Sequence, residues 1–205
     1  MIFFSLFAVS FFAYVLGSIP FGLVLTRLAG LGDIRAIGSG NIGATNVLRT
    51  GNKTLAALTL LLDALKGVAA VLFVAAYFPG LVEVAALAAV LGHMFPLWLR
   101  FKGGKGVATS IGVIAALNWP TGLAVFVLWL PVVIFLRISS LATLIVSASV
   151  PVFFTVFGRV DLVPFSLVLL VLVFFKHREN IRRLINHTEP KIGQLRNDAP
   201  PPQRG

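Results

Sequence analysis

The segment "LAALTLLLDALKGVAAVLFVAAYF", residues 55–78, decides the fold. It carries only two charges, Asp63 and Lys66, in an otherwise almost wholly apolar run. As a helix rising 1.5 Å per residue, it is about 36 Å long, enough to cross a hydrocarbon core of about 30 Å. Helix is the expected form because backbone in lipid must satisfy its own hydrogen bonds. Asp63 and Lys66 stand at i, i+3 on one face. An ionisable side chain at membrane depth is a functional candidate by default. Here the two are read as a mutually neutralising pair, since paired charges cost less in an apolar medium.

The rest of the chain agrees with that segment. Of 205 residues, 58% are hydrophobic and 12% charged, about half the charged fraction of a soluble domain. Mean hydropathy is +0.98. Seven spans are predicted: Ile2–Leu25, Leu55–Phe78, Leu81–Leu99, Val107–Leu117, Thr121–Leu136, Leu141–Phe157 and Leu162–Phe175. The fourth is short, about 16 Å as a helix. It crosses only if the Gly-rich segment before it joins the helix, or if the bilayer thins locally. The expectation is an all-α integral membrane protein. It has one seven-helix domain over residues 1–191 and a disordered, Pro-rich tail over 192–205.

Basic residues orient the bundle. Under seven spans, Arg27, Arg35, Arg49, Lys53, Arg100, Lys102, Lys105, Arg137, Lys176, Arg178, Arg182, Arg183, Lys191, Arg196 and Arg204 fall on one side. Arg159 falls on the other, and Lys66 lies inside a span. The positive-inside rule then puts the N-terminus outside and the C-terminus in the cytoplasm. Six spans would scatter the same residues over both faces. The net charge of +10 is therefore read as topology, not as a nucleic-acid footprint. With no cysteine, disulfides, thiolate metal sites and a cysteinyl acyl-enzyme are excluded.

Polar residues collect in three clusters on the predicted cytoplasmic face: "RAIGSGNIGATNVLRTG" (35–51), "GHMFPLWLRFKGGKGVATS" (92–110) and "FKHRENIRRLINHTEPK" (175–191). In the first, Gly38-x4-Gly43-Ala44-Thr45 has P-loop spacing with alanine in place of the lysine, and no strand precedes it. Its glycines can still turn successive N–H groups onto an anion, with Ser39, Asn41, Thr45, Asn46 and Arg49 close by. The second repeats the device with its own cation: Lys105 follows Gly103 and Gly104, where its ammonium acts as a point charge on phosphate. His93 ends the preceding span, as a polar cap or a catalytic group. In the third, His177 and Asn180 share a helical face while Glu179 turns partly away. Arg182 and Arg183 suit anionic lipid. Ser139 and Ser140 stand where helix-start hydroxyls usually cap. No two carboxylates have the spacing of a metal site, so phosphate would be met by Lys, Arg and backbone N–H groups. No His-x4-Asp pair occurs.

Seven motifs in order, "GSIPFG" (17–22), "GSGNIGATN" (38–46), "LDALKG" (62–67), "GHMFP" (92–96), "FKGGKGVAT" (101–109), "SSLA" (139–142) and "HREN" (177–180), resemble the bacterial acyl-phosphate:glycerol-3-phosphate acyltransferases. The resemblance covers residues 14–191, with one departure at His187, where the pattern has glycine before the Thr-Glu pair. It implies transfer of a fatty acyl group from acyl phosphate to the 1-hydroxyl of glycerol-3-phosphate, giving 1-acylglycerol-3-phosphate and phosphate. It also implies a seven-helix protein of the bacterial cytoplasmic membrane with a cytoplasmic site, no cofactor, and an acyl-phosphate-producing enzyme upstream. Carried residue by residue, it makes Lys105, Arg49, His177 and Asn180 the expected catalytic set. Ser39, Asn41, Gly43, Thr45, Asn46, Gly103, Gly104, Ser140 and His93 are the expected substrate-binding set. The general base is open between His177, with an ordinary pKa near 6.5, and a substrate phosphate oxygen. The competing function is a small membrane transporter for a phosphorylated solute, which would need polar residues through the spans.

Overall fold

Ten α-helices succeed one another along residues 2–192, the part of the chain that the computed structural model describes. They are α1 (Ile2–Gly17), α2 (Phe21–Leu28), α3 (Ala44–Val47), α4 (Lys53–Tyr77), α5 (Val82–Met94), α6 (Val107–Leu117), α7 (Trp119–Leu136), α8 (Ser139–Val156), α9 (Val163–Lys176) and α10 (Arg178–Ile185). The expected disordered tail, apart from Ile192, lies outside the described residues.

Five apolar helical stretches are long enough to cross a bilayer: Ile2–Leu28, Lys53–Tyr77, Pro79–Leu99, Trp119–Leu136 and Ser139–Val156. Val160–Lys176 leads into α10 through a bend of 64°, and the two would make a sixth if taken as one span. The remaining expected span, α6, keeps its 11 residues. The glycine segment before it stays irregular and does not lengthen the helix. Large apolar side chains cover the outside of the bundle, among them Phe3, Phe135 and Val171, as a lipid-facing surface requires.

The first expected span is broken. Pro20 has no N–H to give and disfavours helical backbone at Ile19, so α1 stops at Gly17 and α2 begins at Phe21. Side chains from elsewhere meet the carbonyls this frees. Trp98 Nε1 donates to Ser18 O at 3.1 Å, and Lys66 Nζ donates to Ile19 O at 2.7 Å. Broken helices at membrane depth persist only with such partners.

Small residues let the helices approach. Gly17 of α1 lies against the backbone of Ala89 in α5, and Gly92 lies against that of Tyr14. Gly67 and Gly112 do the same between α4 and α6. Close backbone approach through small residues is a main means of helix association where burial from water supplies no drive. The core between them is mostly aliphatic with two buried rings, Phe154 and Phe165, and includes Val71, Val90, Met94 and Val113. A second apolar cluster of Leu23, Ile34, Ile42, Val47 and Ala56 anchors the first polar loop on α2 and α4.

Candidate functional site

The first loop holds itself in shape. Gly38 and Gly40 adopt φ of +56° and +67°, so the chain reverses around Ser39 at little steric cost. Asn46 secures the turn. Its Nδ2 donates to Ile34 O at 2.7 Å and Asn41 O at 2.8 Å, and its Oδ1 accepts from Ser39 N at 3.2 Å. Both ends of the Asn46 amide are thus spent on the loop's own backbone. Gly43 precedes the single turn of α3. Thr45 and Ser39 are exposed. Asn41 Oδ1 is buried without a hydrogen-bond partner. The Arg49 guanidinium packs against Gly38, where a Cβ would collide with it.

The second loop turns through two non-glycine residues in left-handed backbone, Arg100 (φ +52°) and Phe101 (φ +62°). Such residues persist only where surrounding structure over-determines them. Here Phe101 N donates to Pro96 O and Lys102 N to Leu99 O, each at 3.0 Å. Gly103 and Gly104 then pass over the end of α5. Gly104 N donates to His93 O at 3.0 Å, and the His93 ring lies where a Gly104 side chain would be. Lys102 remains exposed. Lys105 turns inward and donates to Oδ1 of Asn180.

Asn180 links this loop to the third cluster. Its Nδ2 donates to Glu189 Oε1. The same carboxylate accepts from Ser140 Oγ and Arg183 Nε, each at 2.7 Å. Ser140 is therefore tied to residues beyond α10, and the α8 N-cap position is occupied by Ile138 without a side-chain cap. Arg137 pairs with the same returning segment: Ile192 N donates to Arg137 O at 2.6 Å, and Arg137 Nη2 donates to Ile192 O at 2.9 Å. His177 is buried at the junction of α9 and α10, with Nδ1 at 2.8 Å from Val173 O. A carbonyl only accepts, so Nδ1 carries the proton in the neutral ring and Nε2 keeps its lone pair.

The electrostatics follow from this crowding. Burial pushes the Lys105 ammonium down to about 8. Glu189 opposes that push, while Arg183, Arg49 and Lys176 add to it. Those charges come from all three polar clusters, and the Lys105–Asn180 hydrogen bond joins the second to the third. Burial also pushes His177 down to about 4, helped by Lys105, and the ring is neutral at pH 7. Burial alone would raise Glu189, but hydrogen bonds from Ser140, Asn180 and Arg183 hold it below the usual carboxylate range.

Three participants escaped the sequence reading. Glu189 lies within the third polar cluster, yet neither its spacing nor the family resemblance gives it a role. Arg183 was assigned to lipid and instead grips Glu189. Lys176 was counted as a boundary cation, yet its Nζ donates to Met94 O at 2.9 Å and lies over the Phe95 ring. Only the isolated "TEP" acid after a basic helix offered a signal, since a carboxylate among so many cations invites pairing.

A helical membrane protein with a cation-rich, glycine-lined cluster at one end of the bundle is the class defined by fold and site. A family model described as Glycerol-3-phosphate acyltransferase matches residues 7–187. The glycerol-3-phosphate acyltransferase of Brucella canis is 57% identical over 182 residues, covering 89% of this chain and 90% of the relative. That of Mesorhizobium japonicum is likewise 57% identical, covering 89% and 93%. The crystal structure of PlsY (YgiH), an integral membrane glycerol 3-phosphate acyltransferase, in its glycerol 3-phosphate form superposes with a TM-score of 0.86. It is 40% identical, covering 92% of this chain and 96% of that one. Its lysophosphatidic acid form gives a TM-score of 0.85. The chain belongs to the glycerol-3-phosphate acyltransferase family.

Proposed function

We propose that the chain transfers an acyl group from acyl phosphate to the 1-hydroxyl of glycerol-3-phosphate by direct attack, without an acyl-enzyme and without a metal. The observation that carries this reading is the seating of Lys105 between Asn180 and the charges of Arg49, Arg183 and Lys176. Both substrates bear phosphate, and this cluster offers cations and glycine-freed N–H groups for two anions. An acyl phosphate is a mixed anhydride whose phosphate leaves readily, so no strong general acid is required. The glycerol oxygen adds to the acyl carbon, giving a tetrahedral intermediate that collapses as the acyl carbon–phosphate oxygen bond breaks, and the hydroxyl proton passes to phosphate oxygen. Lys105 and Arg49 offset charge on the tetrahedral intermediate; one such donor is typically worth about 3–4 kcal/mol.

In this reading Arg49, Lys105, His177 and Asn180 face the reacting groups. Ser39, Asn41, Gly43, Thr45, Gly103 and Gly104 line the two cradles, with Asn46 and Ser140 holding them in shape. A His177 pKa of about 4 makes it a poor proton acceptor at neutral pH. This favours a substrate phosphate oxygen as the base. Its Nε2 lone pair suits it to accept from the glycerol hydroxyl and aim it. We further propose seven spans with α6 as the short one, the N-terminus outside, and the site at the cytoplasmic face of the bacterial inner membrane. There it would receive acyl phosphate from an enzyme upstream.

The test is purified protein given glycerol-3-phosphate with acyl phosphate, acyl-CoA or acyl-carrier protein in parallel, with and without chelator. Lysophosphatidate from acyl phosphate alone, unchanged by chelation, is expected. Use of a thioester donor at a matching rate, or an absolute Mg²⁺ requirement, would overturn it. Uptake of a phosphorylated solute into vesicles without acyl transfer would restore the transporter reading.

A further inference from the structure

Three buried ionisable side chains meet beneath the second glycine loop. Lys66 Nζ donates to Asp63 Oδ1 at 2.7 Å and to Ile19 O at 2.7 Å, and lies 2.9 Å from His93 Nδ1. Asp63, Lys66 and His93 are each at most 4% exposed. An ammonium has three hydrogens. The carboxylate and the carbonyl take two, so a charged Lys66 directs its third at His93 Nδ1, to which it lies closer than Asp63 Oδ1 does at 3.7 Å. With Nδ1 accepting from Lys66, the proton of a neutral His93 ring is on Nε2.

Nε2 is the atom on which Gly104 rests. A Cβ added at Gly104 would fall on it, with Cε1 and Cδ2 beside it at 2.8 and 2.9 Å. The His93 carbonyl also holds Gly104 N. On the far side of Lys105, Thr109 Oγ1 donates to Asp63 O at 2.9 Å. The ring of His93 thus meets the chain just before Lys105, and the backbone of Asp63 meets α6 four residues after it. Isolated charges at membrane depth are costly, and filling space beneath a loop needs none. A fixed ring orientation does need a fixed donor.

We propose that Asp63, Lys66 and His93 form a positioning triad. Through the locked His93 ring it sets the height of Gly104, and hence the reach of the Lys105 ammonium to Asn180. It does so without touching substrate. This inference rests on the reading of Lys105 as a substrate-binding cation. Asp63 neutralises Lys66, Lys66 orients His93, and His93 carries the loop.

The test uses the full chain in detergent. Gly104→Ala should lose at least 100-fold in kcat/KM, because its new methyl displaces the ring. His93→Ala, which empties that space, should lose about tenfold. The double variant should regain at least tenfold over Gly104→Ala. Nitrogen NMR of ¹⁵N-histidine-labelled native protein should show a His93 Nδ1 without a proton, and Lys66→Met should abolish that preference. A double variant no better than Gly104→Ala, or a protonated Nδ1 in the native protein, overturns the triad. Lys105→Ala runs beside them: near-native turnover there overturns the site reading itself, whereas its loss without suppression in the double variant overturns the triad alone.

Discussion

The side-chain amide of Asn180 is orientated by Glu189. Its Nδ2 donates to that carboxylate, which leaves Oδ1 turned towards the Lys105 ammonium. Glu189 is nine residues further along the chain and reaches back because the segment after α10 is pinned to Arg137 by two hydrogen bonds. Lys105 is thereby aimed by a residue it does not touch.

Replacing that carboxylate should therefore act through Lys105. Glu189→Gln keeps an acceptor for Asn180 but removes the charge that supports the ammonium. Hydrogen bonds to charged groups are worth about 1.5–3 kcal/mol, so a loss of roughly 10–100-fold in kcat/KM is expected. The alkaline limb of the pH profile should move to lower pH. Steady-state assays from pH 6 to 10 read both quantities, and an unmoved limb would contradict the linkage.

Lys105 itself sets a signed pH dependence. Its pKa in the folded protein, about 8, lies below the unfolded lysine value of about 10.4. Activity needs the cation, so kcat/KM should fall as pH rises through about 8. Between about 8 and 10.4 the unfolded chain binds the extra proton, so this group's contribution to stability grows with pH over the same window. Activity and thermal stability should diverge above pH 8 in the native protein, and the divergence should shrink in Lys105→Arg. Parallel decline of both would show simple denaturation.

For His177, the depressed pKa predicts that kcat/KM shows no inflection near 6.5 from the imidazole. The acidic limb should instead sit near 6, where a phosphate monoester dianion is protonated to the monoanion. His177→Gln should lower kcat yet keep that limb. A limb that vanishes with the imidazole would return the role of base to His177.

His187 supplies a stability prediction. It holds φ of +55° and is exposed, at the position where the family resemblance leads one to expect glycine. Left-handed backbone costs a non-glycine residue about 1–2 kcal/mol. His187→Gly should raise thermal stability by about 1 kcal/mol, the entropy of a freer unfolded chain offsetting the rest. Acyl transfer should stay unchanged. An unfolding midpoint at or below that of the native protein would refute the argument.

The sequence alone determined the class of protein. The 55–78 run had to be a membrane helix because no other backbone form satisfies itself in lipid. The i, i+3 spacing of Asp63 and Lys66 favoured a neutralising pair, and their ion pair measures 2.7 Å. Glycine spacing and nearby cations also made both loops visible as candidate anion cradles, because such loops are local in sequence. The rest depended on pairs far apart in the chain, to which periodicity is blind. That Asn46 spends its amide on the loop, that Glu189 enters the site, and that the Pro20 break gives its carbonyl to Lys66 were settled only by packing. Each is a hydrogen-bonding group that would otherwise be buried unpaired, and its partner is whichever residue the folded helices bring within reach.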